Sequence, residues 1–282
     1  MSAPDYLSPI LARTRVEVRR RRRRWARWNT PSSSEPSSSE PSSSEPSSSE
    51  PSSSERLPWE STLARLRRDG PLHVIAEVKF RSPSAGTIHP RIPGAVAAIA
   101  AGYEAAGAAA VSVLADRMGF GGSPLDVRRA SSAVDVPVLF KGFVLDEVQV
   151  DLARAMGARL VLLLVRALEP LRLRELVNYV EAQGLLPLVE AASAAELEAA
   201  VETGAAAIGV NARDLSTFRV DLPGGLALIE NAPADRCRVI MSGVRSKETL
   251  DAVAERSVDA VLIGEGLMRA PSPPDRLREW MQ

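Results

Sequence analysis

The chain has 282 residues, enough for one large domain or two small ones, and its 35 basic residues balance 35 acidic ones, so no overall field argues for a nucleic-acid partner. A single cysteine, Cys237, excludes an internal disulfide and any multi-cysteine metal site, and His73 and His89 are the only histidines. Chemistry must therefore come mainly from carboxylates, lysines and backbone amides. No apolar run approaches the ~20 residues of a membrane-spanning helix, and the first residues lack the apolar core of a secretory signal. The expectation is a soluble cytoplasmic protein without membrane or nucleic-acid partners.

Residues 5 to 28 carry a patchy helical pattern, Tyr6, Ile10, Leu11, Val16 and Val18, which runs into the arginines Arg19 to Arg24 and then Trp25 and Trp28. Such a run can mark a nucleic-acid or membrane patch, but no other nucleic-acid module accompanies it, and a solvated basic helix over residues 1 to 30 is expected. Residues 31 to 55 read PSSSE five times. With no apolar side chain to bury, prolines lacking amide hydrogens and glutamates that repel, this segment is expected to be a disordered linker.

The third unit, residues 56 to 282, is regular. Short apolar runs recur at 72–79, 109–114, 136–141, 159–165, 185–190, 206–211, 237–242 and 258–263, with helical stretches between them such as 94–106, 146–156, 169–183, 193–203 and 247–256. Several helices end in Gly-Ala, a helix-terminating signal. Eight strands alternating with helices fit an α/β fold of the (β/α)₈ type, a TIM barrel, better than a doubly wound sheet.

In such a barrel the active site lies at the C-terminal ends of the strands. Glu77 and Lys79 end the first run, two residues apart and hence on one face of an extended chain. Lys141 ends the third, Glu190 the fifth, and Asn211 with Arg213 the sixth; Ser242-Gly243 follow the seventh and Gly264-Glu265-Gly266 the eighth. Each has an ordinary reading alone, as an ion pair, a solvent-facing strand end or a helix cap. Together, ending otherwise aliphatic strands, they indicate an enzyme. Glycines in the last two loops favour a phosphorylated small-molecule substrate, because backbone amides there commonly hold phosphate.

VIAEVKFRSPSAG (74–86), SVLAD with FGGS (112–123), PVLFKGFVLDEVQV (137–150), PLVE (187–190), IGVNARDLSTF (208–218), SGV (242–244) and DAVLIGEGLMRA (259–270) run in order through the chain. They resemble the indole-3-glycerol-phosphate synthase family. The resemblance implies conversion of 1-(2-carboxyphenylamino)-1-deoxyribulose 5-phosphate to indole-3-glycerol phosphate, with loss of carbon dioxide and water and without a cofactor. It also implies that Lys141 is the acid for ring closure, that Lys79 and Glu190 serve the dehydration, and that Glu77 and Asn211 hold substrate hydroxyls and orient the lysines. Ser82 and Arg213 would lie near the substrate carboxylate and sugar chain, with Ser242 beside the site. Phe120, Phe143, Leu162 and Leu215 would form walls around the aromatic ring, and the amides of Gly243, Gly264 and Glu265 would take the phosphate. No metal is implied, and a monomer or weak oligomer is expected.

The chain departs from the family pattern at Gly142, where aspartate is usual, at Met241, where glutamate is usual, and at Phe80, where a basic residue is common. Two other readings follow. One is a catalytically impaired paralogue acting as a binding or scaffold protein. The other is a different phosphate-binding barrel such as phosphoribosylanthranilate isomerase, for which a Cys/Asp or Asp/Asp pair would be expected in place of Glu77, Lys79, Lys141 and Glu190.

Overall fold

The structure, a computed structural model, describes residues 7–29, 59–117, 119–214 and 219–282, with the side chains of the first helix described as far as Arg23. Helices α1 (Leu7–Asn29) and α2 (Trp59–Leu66) precede β1 (His73–Val78), and a small hairpin of β2 (Arg81–Ser82) and β3 (Gly86–Thr87) follows it. Then come α3 (Ala95–Ala105), β4 (Ala110–Leu114), α4 (Pro124–Ser131), β5 (Val138–Lys141), α5 (Glu147–Ala155), β6 (Leu160–Leu164) and α6 (Pro170–Ala182). The chain continues through β7 (Leu186–Ala191), α7 (Ala194–Glu202), β8 (Ala207–Asn211), α8 (Leu222–Ile229), β9 (Cys237–Met241) and α9 (Lys247–Ala254). It ends with β10 (Ala260–Ile263), α10 (Glu265–Met268) and α11 (Pro273–Met281).

Strands β1, β4, β5, β6, β7, β8, β9 and β10 close into a parallel barrel, β10 pairing with β1 through His73↔Ala260 to Ala76↔Ile263. Each coincides with one of the runs read from the sequence, to within two residues at either end. Parallel strands covered on both faces need aliphatic side chains on both, and β4, β6 and β8 are buried at every position.

The period-2 alternation divides the buried residues into two layers. Ile75, Leu139, Leu160, Leu188, Val239 and Leu262 belong to a cluster inside the barrel, whereas Val74, Val111, Val161, Val189, Ile240 and Val261 pack outward under the helices. Leu66 of α2 is fully buried within the inner cluster, together with the strand-start residues Ile75 and Ala109, and so plugs the N-terminal mouth.

Local signals fix where the strands stop and the helices start. The Ser193 hydroxyl accepts from Glu196 N at 3.3 Å while Glu196 Oε2 accepts from Ala192 N at 2.9 Å, satisfying two amides at the start of α7. Gly107, Gly157 and Gly204, the glycines of the Gly-Ala pairs, adopt φ values of 94°, 84° and 83° just past α3, α5 and α7.

Helix α1 lies against the barrel rather than free in solvent. Leu7 and Leu11 join the inner cluster, and Arg22 reaches Asp146 at 2.5 Å and Glu147 at 3.3 Å at the start of α5. One member of the arginine run is thus a tether. The PSSSE repeats lie outside the described residues. Among the described residues no helix is long and apolar enough to cross a membrane.

Candidate active site

The C-terminal mouth of the barrel opens into a pocket lined by the strand ends and the loops that follow them. Its charged groups come from strand ends. Glu77, at the inward register of β1, is 2% exposed and pairs with Lys79 Nζ at 2.9 Å, so the chain keeps both side chains on one face although β1 ends at Val78. Ser112, opposite Glu77 in β4, donates to Glu77 Oε2 at 3.4 Å. Burial alone would raise the Glu77 pKa, but the ammoniums of Lys79 and Lys141, with the Ser112 hydroxyl, hold it below the ordinary carboxylate range.

A second pair faces the first. Glu190 at the end of β7 accepts from Asn211 Nδ2 at 3.0 Å through Oε1. Asn211 Oδ1 in turn accepts from Arg213 N at 3.0 Å, which fixes the orientation of the side-chain amide. Glu190 Oε2 is buried and has no hydrogen-bond donor among the described residues; its nearest cation is Lys141 Nζ at 3.7 Å. A buried carboxylate oxygen without a donor is costly in a finished core and useful in a site that awaits a hydroxyl or ammonium proton.

The loops after β9 and β10 bring backbone to the same mouth. Ser242 has φ 68°, the one positive value at a non-glycine position among the described residues, and Gly243 follows with φ 95°. Holding serine in the left-handed region costs about 1–3 kcal/mol, a strain typical of functional loops. Gly264 is glycine for a steric reason: a Cβ there would lie 2.4 Å from Glu77 Oε1 and 3.1 Å from Lys79 Nζ. Glu265 pairs with Arg213 at 3.4 Å and with Arg269 at 2.8 Å. Those guanidiniums keep its pKa low against the opposing effect of burial, and burial, with Arg245 nearby, lowers that of Arg213.

All the described residues assigned to the site from the sequence border this pocket: Glu77, Lys79 and Ser82 after the first strand, Phe120, Lys141 and Phe143 on the adjoining side, Leu162 and Glu190 across it, then Asn211, Arg213, Ser242, Gly243, Gly264 and Glu265. Leu215 lies outside the described residues. The rings of Phe120 and Phe143 stand 6.4 Å apart and tilted by 34°. Ser82 is buried, and its hydroxyl accepts from Ala85 N at 3.1 Å.

Gly266, grouped with the rim in the sequence, packs elsewhere: a Cβ there would meet Val244 O at 2.7 Å and Trp280 at 3.0 Å. Phe80 likewise belongs to the outer layer, with the Arg91 guanidinium 5.3 Å from its ring centre. Met241 lies on the pocket floor, 1% exposed, its Cε against Gly209, where a Cβ would come within 2.5 Å. The position at which the family pattern has a carboxylate is thus filled by an apolar side chain seated over a glycine.

Ser112, Asp116 and Arg245 were not singled out from the sequence. Ser112 carries a legible signal, a hydroxyl in an otherwise aliphatic strand in register with Glu77. Asp116 and Arg245 sit in loops, where spacing says little about direction. Asp116 Oδ2 accepts from Gly119 N at 2.6 Å and Phe120 N at 3.3 Å, and so shapes the loop that carries Phe120.

A closed (β/α)₈ barrel with two ammonium–carboxylate pairs at its C-terminal mouth and backbone-lined loops after its last two strands defines an acid–base enzyme of the phosphate-binding barrel class. The family model described as indole-3-glycerol phosphate synthase matches residues 40–280. Proteins named indole-3-glycerol phosphate synthase from Koribacter versatilis and indole-3-glycerol phosphate synthase 1 from Streptomyces coelicolor are 45% and 44% identical to this chain. The matches cover 76% and 77% of this chain and 81% and 79% of theirs. The chain belongs to the indole-3-glycerol phosphate synthase family, decarboxylating carbon–carbon lyases of tryptophan biosynthesis.

Among solved structures, a 3-hexulose-6-phosphate synthase superposes with a TM-score of 0.60 at 18% identity, covering 74% of this chain and 98% of that one. A thiamine phosphate pyrophosphorylase from Pyrococcus furiosus gives 0.55 at 17%, covering 74% and 94%. At those identities the likeness concerns the fold alone.

Proposed function

We propose that the two ion pairs at the barrel mouth carry out the family reaction, closing 1-(2-carboxyphenylamino)-1-deoxyribulose 5-phosphate to indole-3-glycerol phosphate. The carrying observation is that Lys79–Glu77 and Lys141–Glu190 face one pocket, with Glu190 Oε2 lacking a hydrogen-bond donor among the described residues. Lys141 donates a proton to the substrate carbonyl oxygen as the ring carbon bearing the carboxylate attacks the carbonyl carbon. Loss of carbon dioxide returns the ring to aromaticity. The new hydroxyl then leaves as water, which requires one proton delivered to oxygen and one taken from the methylene carbon beside the nitrogen, so that the indole double bond forms. Lys79 and Glu190 take these two parts. The overall change is balanced by carbon dioxide and water, with no electron acceptor or donor.

Glu77 holds Lys79 and stays ionised, while Asn211 holds Glu190 through one oxygen and leaves the other for substrate. Phe120, Phe143 and Leu162 wall the aromatic ring in a dry setting that strengthens each polar contact. Ser82 and Arg213 take the carboxylate and sugar chain, with Ser242 beside them, and the amides of Gly243, Gly264 and Glu265 take the phosphate. The same reading has the protein acting in the cytoplasm as a monomer or weak oligomer, with the basic helix, the PSSSE linker and the barrel as three successive units.

The test supplies the carboxyphenylamino sugar phosphate and follows indole fluorescence. Well-folded protein that binds the ligand without forming product refutes the assignment and leaves a binding protein. Lys141→Ala is expected to abolish turnover while phosphate binding persists, and unchanged turnover would remove Lys141 from the mechanism.

A further inference from the structure

A second cavity lies on the other side of Gly142, between α1 and the C-terminal ends of β4 and β5. Asp116, Gly142 and Phe143 line both this cavity and the candidate active site, so the two meet there. Gly142 is the bare point of the shared wall. A Cβ on it would face Phe140 Cε1 at 3.2 Å and Ala115 Cβ at 3.6 Å, both lining residues of the second cavity, so any side chain at position 142 would project into it. The aspartate expected from the family pattern would stand over this shared wall; glycine leaves it bare.

The cavity has a definite chemistry. Val16, Pro124, Phe140, Phe143 and Leu152 give it an apolar lining. Its edge carries Arg13, Arg20 and Arg117, for which no carboxylate lies within ion-pair distance among the described residues, whereas Arg21 is occupied by Glu17 at 2.5 Å. Asp116 stands at the doorway, where its Oδ2 already accepts from the amides of Gly119 and Phe120, so the donors the cavity offers an incoming group are those of the arginines. An aryl substituent with a small apolar body and an acceptor oxygen fits this lining, since the arginines offer donors and the apolar side chains take the rest.

We propose that this cavity is an annex of the substrate site and that Gly142 determines specificity: the protein accepts carboxyphenylamino-deoxyribulose phosphates whose aryl ring bears an additional methoxy or hydroxyl group. The inference rests on the placement of the aryl ring beside Phe120 and Phe143. The substituent is a spectator, and the bonds made and broken are those of the unsubstituted reaction.

The experiment prepares the substrate from each ring isomer of methoxy-2-aminobenzoate and compares kcat/KM with the unsubstituted compound, in the full chain and in Val16→Trp. Val16 is 39% exposed on α1, so tryptophan there fills the annex without disturbing the barrel core. At least one methoxy isomer is expected within about threefold of the unsubstituted substrate. Val16→Trp should lower kcat/KM for that isomer by about tenfold or more and change the unsubstituted value less than about twofold, in line with the cost of crowding one substituent in a pocket. Gly142→Asp should lower kcat/KM for that isomer at least as far.

Turnover of the unsubstituted compound with every methoxy isomer at least about a hundredfold poorer overturns the annex alone. Equal losses for both substrates in Val16→Trp also overturn it. No turnover of any compound overturns the site assignment on which it rests.

Discussion

Replacing Gly264 by alanine puts a methyl carbon 2.4 Å from Glu77 Oε1 and 3.1 Å from Lys79 Nζ. Non-bonded atoms rest at about 3.5 Å, so the carboxylate must retreat by about 1 Å. Glu77 is 2% exposed and tied to both Lys79 and Ser112, so that retreat breaks at least one of these contacts. The backbone raises no separate objection, because φ at position 264 is −117°, a value alanine adopts freely.

A displacement of about 1 Å in a catalytic group costs about a hundredfold in rate, equivalent to about 2.7 kcal/mol of barrier. Overpacking at one methyl adds a stability loss of about 1–3 kcal/mol. Steady-state turnover by indole fluorescence and urea denaturation measure the two quantities. The phosphate should still bind, since alanine keeps the amide at 264. Turnover within about threefold of the parent, at unchanged stability, would refute the claim that this glycine makes room for the Glu77–Lys79 pair.

Gly209→Ala makes a control, because its Cβ would meet the free end of Met241 at 2.5 Å. A flexible thioether gives way easily, so denaturation should show a loss below about 1.5 kcal/mol and turnover should fall only a few-fold. Asn211→Ala removes the donor to Glu190 Oε1 and leaves both oxygens without one among the described residues, and should lower stability by about 1–3 kcal/mol and cut kcat more than it raises KM. Because the Glu77 pKa is depressed in the folded protein, its contribution to stability is full above the ordinary glutamate value of 4.5 and is lost as pH falls through its own lower value. Between about pH 6 and pH 3 the parent should therefore lose more stability than Glu77→Gln; parallel pH profiles in urea would count against the ionised assignment.

The strands were legible because a barrel strand is buried on both faces and reads as an unbroken aliphatic run, and the polar rim because each charged group interrupts such a run at its end. Helix α8, LPGGLALI, was not named because its two glycines and a proline resemble a loop; it is held by Asp221, which accepts from Gly224 N at 3.0 Å. The hairpin of β2 and β3 was hidden in RSPSAGT, since two-residue strands have no period to detect. Ser112 shows that a single hydroxyl in the right register can matter more to a site than a conspicuous charge, and the run of arginines shows the converse, with Arg22 fastening a helix. Direction was the missing quantity for Asp116 and Arg245, and only the folded loops supply it.

The separation of the buried side chains into an inner and an outer layer bears on how such a protein changes over time. Its fastening to the helices belongs to Val111, Val161, Ile240 and their outward neighbours, whereas the shape of the chamber belongs to Leu162, Leu164, Met241 and Leu262, which point the other way from the same strands. Inheritance can revise one set while sparing the other. The seating of Met241 over Gly209 shows such a revision also has a grammar: a bulky residue at one position sits best over a bare partner on the adjacent strand, so a stiffer side chain at 241 would make the two places depend on each other more strongly.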